Sequence, residues 1–158
     1  VTQDGVRRIE FGPLPREAHV DPESDWSPHL HEAVRQLQEY FARTRRSFDL
    51  PLDMEATGFQ RTVYDELLKI EYGHVTSYGE VAEAVGRPEL ARAVGQAVGA
   101  NPVPIVIPCH RVVASDGKLV GFGGGLPVKV ALLRIEGVEV DGDRPSSKVR
   151  PDVLRLEL

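Results

Sequence analysis

The chain's single cysteine, Cys109, stands in PIVIPCHRVV (104–113), with Pro108 before it and His110 and Arg111 after it. A thiolate is a nucleophile, and a nearby imidazole or cation raises the thiolate fraction. Adjacent side chains of an extended segment point to opposite faces, so a direct Cys109–His110 pair needs a local turn, or a water between the two. Glu136, near the end of the last helical stretch, can orient the imidazole as the third member of a relay. The other reading of Cys109 is a small buried hydrophobe, the usual state of a lone cysteine. One cysteine forms no intramolecular disulfide, and without thiol partners a zinc site would rest on scattered histidines and carboxylates. No metal and no cofactor is assigned.

The elements that must position these residues follow from patterning. VRRIEFG (6–12) reads as a short strand, LPREAHVDPESDWSP (14–28) as a loop or linker, and SFDLPLDM (47–54) as a strand or extended crossover. Between them Ser27 caps a helix with Pro28 at its first position, and Leu30, Val34, Leu37 and Phe41 recur at helical spacing as its core face. Thr57 and Gln60 have capping-box spacing ahead of the stripe Phe59, Val63, Leu67 and Ile70. Ser77 and Glu80 repeat the device, with Val81, Ala84 and Val85 as buried positions. Gly86-Arg87-Pro88 then breaks the chain before a helix over 89–100, and two short helices about a tight turn suggest a helix-turn-helix. NPVPIVIP (101–108) reads as an extended, rigid, largely buried segment, and 110–125 as a strand and hairpin followed by a glycine loop. LPVKVALLRIEG (126–137) is a final helix stopped by Gly137, and the proline-punctuated tail beyond it is expected to be partly mobile.

Composition limits the function classes. At 158 residues with 41% hydrophobic and 27% charged side chains, the chain has ordinary globular values and length for one domain or two small ones. It has no long apolar run and no basic-then-apolar amino-terminal segment, so the expectation is a cytoplasmic protein in a reducing setting. A net charge of −5 argues against simple coating of nucleic acid. The acid is uneven, however: Thr76–Arg134 holds six basic and four acidic residues, so that stretch is positive and the excess acid lies elsewhere.

NPVPIVIPCHRVV followed by GKLVGFGGGLPVKVALLRIEG resembles the active-site signature of the O6-alkylguanine-DNA alkyltransferases, which reverse DNA damage directly. The match runs without an evident gap from about Thr57 to Gly137, and SYGEVAEAVGRPELARAVG resembles the family's DNA-binding helix-turn-helix. The resemblance implies a small α/β, ribonuclease H-like domain over 1–53; VTQDGVRRIEF corresponds to a point just after the family's usual first strand, so either the sheet lacks that strand or this start is downstream of the true one. It implies a mainly helical domain with a winged helix-turn-helix over 54–137, and a tail over 138–158. Cys109 would attack the alkyl carbon on O6 of guanine, or on O4 of thymine, with Glu136, His110 and a water as its relay and Asn101 tying the turn beside it. The partner is double-stranded DNA met from the minor groove, with the nucleotide flipped out. Arg92 would fill the vacated space, Tyr78 would lie near the flipped base, and Ala91, Ala93, Gly95, Ala97 and Gly99 would let the recognition helix press on the backbone. Arg111 is assigned to DNA contact, and Tyr78, Val98, Pro104, Phe122 and Gly123 to the substrate pocket. The protein would be a monomer, spent after one transfer.

This chain departs from the family in having no spare cysteines for a structural zinc, in a tail with no counterpart, and in Phe122 where many relatives carry tyrosine. Three rivals remain at this point. A recognition module that flips lesions without transfer lacks the cysteine. A thiol hydrolase would use Cys109, His110 and an oxyanion hole in GFGGG, and leaves the helix-turn-helix unexplained. A transcription regulator fits poorly with an alanine- and glycine-rich recognition helix.

Overall fold

The computed structural model describes residues 1–13, 27–142 and 147–149. The expected linker falls mostly outside the described residues. Helix α1 (Ser27–Phe41) starts where Ser27-Pro28 places it, yet its buried face is Ala33, Gln36 and Tyr40. The expected stripe is therefore rotated: Val34 is 44% and Phe41 51% exposed. Hydrogen bonding explains the rotation. Gln36 donates to the carbonyl of Asp49 and accepts from its N–H, both at 2.9 Å, so the buried amide satisfies the returning backbone. Tyr40 likewise buries a hydroxyl that has an acceptor inside.

Neither 6–12 nor 47–54 forms a strand; the two meet at a single parallel bridge, Val6 to Leu52. Val6 N–H donates to Pro51 O and Asp53 N–H to Val6 O. Beyond Val6 the first segment turns away, and Ile9 N–H donates to Pro102 O at 2.9 Å. Pairing that would have extended a sheet instead ties residues 6–11 to the neighbourhood of Cys109.

Helix α2 (Gly58–Leu67) and helix α3 (Tyr78–Ala84) both begin with the expected reciprocal capping boxes, Thr57 with Gln60 and Ser77 with Glu80. Val63, Tyr64 and Leu67 are buried on α2; on α3 the buried pair is Val81 and Ala82, while Ala84 is exposed. Gly86, at φ +71°, and a 3₁₀ turn at Pro88–Leu90 lead into α4 (Ala91–Gly99). Strand β1 (Thr76–Ser77) pairs in parallel with β2 (Val112–Val113), Thr76 opposite Val112, which fixes the start of α3 against the segment that follows Cys109. Helix α5 (Leu126–Ile135) ends at Glu136 and Gly137, the latter at φ +83°.

One expectation needs correction. Residues 101–108 are buried or half-buried as expected but not extended: they fold back on themselves, with Ile107 N–H donating to Val103 O and Ile105 at φ +75°. A β-branched residue in that region is strained by about 1–3 kcal/mol, and burial of its side chain with Tyr40 and Leu132 holds it there. The hairpin turn at 114–118 does form, closed by Ala114 N–H to Lys118 O. Its partner is the tail, through the antiparallel bridge Lys118–Lys148, while the bridge Val140–Val149 closes the tail on itself, and Val149 is buried with Val75, Val113, Leu119, Val130 and Leu133. The described part of the tail is thus packed, because its valines complete that core.

Candidate active site

Cys109, His110 and Arg111 form one 3₁₀ turn, closed by Arg111 N–H to Pro108 O at 3.0 Å. Pro102, Pro104 and Pro108 lack N–H groups, so the loop depends on side-chain bonds, and Asn101 supplies them. Its Oδ1 accepts from Val103 N–H at 3.0 Å and its Nδ2 donates to Ile107 O at 2.9 Å. The local turn that sequence geometry called for is present.

His110 is completely buried, and its Nε2 lies 2.7 Å from Glu136 Oε1. An ionised carboxylate only accepts, so Nε2 carries the hydrogen and Nδ1 the lone pair. Nδ1 is buried with no hydrogen-bond partner among the described residues. Burial pushes the His110 pKa down, more than Glu136 pushes it up, so the imidazole rests neutral as a base.

Glu136 accepts from four other donors: Tyr40 Oη at 2.7 Å, Arg111 Nε at 2.9 Å, Arg111 Nη2 at 3.0 Å and Gly73 N–H at 3.1 Å. Burial alone would raise its pKa, but the hydrogen bonds from His110 and Arg111 and the charge of Arg111 outweigh that and hold it at about 2. Arg111 is therefore corrected from a DNA contact to a structural counter-ion: it is only 6% exposed, and it also donates to Ile70 O.

The Cys109 thiol is 5% exposed. Its burial raises its pKa, opposed by a hydrogen bond from Asn101, the charge of Lys129 and the backbone N–H groups of Cys109 and His110. The resting sulfur is a thiol, which loses its proton to a base when it reacts. Lys129 is fully buried on α5, donating to Val112 O at 2.6 Å and Val120 O at 3.1 Å. Burial lowers its pKa to about 8, although a thiolate at Cys109 would favour its charge.

Two cavities reach the sulfur. One, about 320 Å³, is lined by Tyr78, Gly95, Val98, Gly99, Cys109 and the 121–123 loop. The other, about 460 Å³, shares Val98, Cys109, Phe122 and Gly123, and adds Asn101, Pro104 and the amino-terminal residues Arg8–Phe11. The pocket residues expected from the sequence, Tyr78, Val98, Pro104, Phe122 and Gly123, are thus all brought to Cys109. The Tyr78 ring lies against Gly95, and Phe11 packs on Phe122 with ring centroids 5.5 Å apart. Arg92 is exposed on α4, with Ala91 and Ala93 half-exposed beside it. Sequence reasoning missed Tyr40, Lys129 and Phe11. A lysine inside the apolar run of α5 was the one available signal.

Residues 58–138 match the family described as 6-O-methylguanine DNA methyltransferase, DNA binding domain, and residues 2–54 match its ribonuclease-like domain. The chain belongs to this family. The expected pairing of a ribonuclease-like amino-terminal domain with a helical DNA-binding domain therefore stands, and the reaction that goes with membership is direct-reversal repair, in which an alkyl group passes from DNA to a cysteine of the protein. A methylated-DNA–protein-cysteine methyltransferase of Methanosarcina barkeri is 42% identical over 137 residues, 85% of each chain. The structure of Mycobacterium tuberculosis OGT in complex with DNA superposes with a TM-score of 0.66 at 51% identity, covering 67% of this chain and 66% of that one. Schizosaccharomyces pombe Atl1, solved with damaged DNA containing O6-carboxymethylguanine, gives 0.55 at 32% identity, covering 66% of this chain and all of that one. Among the described residues no helix is long and apolar enough to cross a membrane.

Proposed function

We propose that the protein repairs O6-alkylguanine in double-stranded DNA by taking the alkyl group onto Cys109. The observation that carries this reading is a buried thiol, on a residue that lines two cavities, on the same turn as a neutral histidine whose far nitrogen is fixed by a buried carboxylate. His110 Nδ1 takes the Cys109 proton, directly or through a water, while Nε2–H stays on Glu136. The sulfur forms a bond to the alkyl carbon as the carbon–O6 bond breaks; guanine leaves with the electron pair and regains a proton. Lys129 favours the developing thiolate through its charge. The thioether keeps the alkyl group, since the chain has no second cysteine to receive it. One molecule repairs one lesion.

Access to O6 requires a flipped nucleotide. Tyr78, Gly95, Val98 and Phe122 line the smaller cavity and are the walls we assign to the base, with Phe122 as a stacking partner. Arg92, exposed on α4, is assigned to the space the base leaves, and the small residues Ala91, Ala93, Gly95 and Gly99 permit close approach to the sugar-phosphate chain. A Cβ at Gly99 would meet open space, as suits an outward face. O4-alkylthymine is a second substrate of the same pocket. The division at residues 53/54, a monomeric state and a cytoplasmic location belong to the same proposal.

Cys109→Ala tests the reading. It should lose all transfer from an O6-methylguanine oligonucleotide and keep its affinity for that DNA within about threefold, since the thiol offers little contact surface. Residual transfer to the alanine variant would exclude Cys109 as acceptor.

A further inference from the structure

Tyr40 stands 96 positions from Glu136 in sequence, on α1, and its hydroxyl meets the carboxylate oxygen that His110 uses. We propose that Tyr40 is a positioning residue of the proton relay, supplied by the amino-terminal domain: it fixes Glu136 Oε1 against His110 Nε2 and sets how strongly that oxygen pulls on the imidazole. The proposal rests on the relay reading above.

The ring of Tyr40 is fully buried, in a cluster with Ile105 and Leu132 and against Phe48, where phenylalanine would pack as well. The hydroxyl is therefore not explained by packing. Nor is it needed as counter-charge, because Arg111 already provides that through two bonds. The groups facing the carboxylate are His110 and Arg111 from the 3₁₀ turn, Gly73 N–H from the loop before β1, and Tyr40 from α1. The neighbouring Tyr72 ring is 6.1 Å from that of Tyr40, but its hydroxyl is spent on Ile135 O, and Lys129 acts on His110 by charge from α5. Of these, Tyr40 is a neutral side chain whose loss changes Oε1 and leaves every charge in place.

The direction follows. A donor on Oε1 draws negative charge from it and weakens its hold on an imidazolium. Without the hydroxyl, His110 keeps a proton to higher pH. Since transfer needs the neutral imidazole, the acid limb of the rate profile moves up. The same contact makes seating of the amino-terminal domain a condition for a correctly poised relay.

The test is single-turnover transfer from an O6-methylguanine oligonucleotide, followed across acidic to weakly basic pH. For Tyr40→Phe we expect the acid limb to rise by roughly half a pH unit. Site-specific 3-fluorotyrosine at position 40, a stronger donor, should move it down, and carries the test if the phenylalanine variant does not fold. In a Glu136→Gln background, Tyr40→Phe should shift nothing further. A loss of rate by one factor at every pH, an unmoved limb in both variants, or a shift that persists without Glu136 overturns the proposal. If Glu136→Gln itself leaves the wild-type profile intact, the relay fails and Tyr40's role with it. If Glu136→Gln moves the profile and the Tyr40 variants do not, only Tyr40's role falls.

Discussion

Glu136→Gln removes a charge while keeping the shape of the side chain, and its cost can be worked in two ways. The carboxylate accepts five hydrogen bonds, from Tyr40, His110, Arg111 twice and Gly73. A glutamine has one acceptor oxygen, and its NH₂ would be turned toward N–H donors. Arg111 would become a buried cation without its partner, a loss of about 3–5 kcal/mol. Independently, a carboxyl held at about 2 instead of 4.5 contributes about 3 kcal/mol to folding at neutral pH. Because the folded value is the lower one, this stability is present above the unfolded pKa and is lost as pH falls from about 4.5 towards 2. Urea unfolding at neutral pH should therefore separate wild type from variant by about 3 kcal/mol, with a melting temperature roughly 10 °C lower, and the gap should close over that acidic interval. At a temperature where both are folded, transfer should be slower by about a hundredfold or more, the contribution of a positioned general base. A gap below about 1 kcal/mol that does not change on acidification would refute the buried ion-pair reasoning. An unchanged transfer rate would remove Glu136 from the relay.

Two further outcomes are expected. Arg92→Ala should weaken binding and repair of duplex substrate by on the order of tenfold and leave reaction with free O6-benzylguanine near wild type, because only the duplex has a vacated space to fill; equal losses on both substrates, in parallel kinetics, would count against that role. Gly124→Ala would set a Cβ 2.6 Å from Cδ2 of Phe11, so it should destabilise the fold by about 1–3 kcal/mol in thermal melts. Phe11→Ala should relieve most of that added cost in the double variant, and simple additivity of the two changes would contradict the contact.

The parts of this protein that were legible in its sequence are those set by local chemistry. Capping boxes at Thr57 and Ser77 and the stop at Gly137 depend on residues within a turn of each other, and all three stand. The chemical trio was legible for another reason: a lone cysteine, a histidine next to it and an acid at a helix end are rare side chains in telling places. What escaped was set by tertiary hydrogen bonding. The inner face of α1 could not be found by apolarity, because Gln36 and Tyr40 occupy it for their polar atoms. Arg111 looked like a DNA contact until its burial on Glu136 became visible. The fold-back at 101–108 depends on Asn101 bridging Val103 and Ile107 and on a left-handed Ile105 held by Tyr40 and Leu132, contacts that no periodicity reports. Lys129 and Phe11 come to the surroundings of Cys109 from different parts of the chain, and the tail's Val149 completes a core made elsewhere. Apart from the Asn101 bonds, the deciding partner in these cases is distant in sequence.

The central claim is that Cys109 is the final resting place of the alkyl group. Intact-protein and peptide mass spectrometry after one incubation with an excess of O6-methylguanine oligonucleotide tests it most directly. The account predicts one methyl group per protein, located on the peptide containing Cys109, with no further gain on longer incubation. Folded protein that binds the lesion while Cys109 stays unmodified, or that carries the methyl group on another residue, would contradict it.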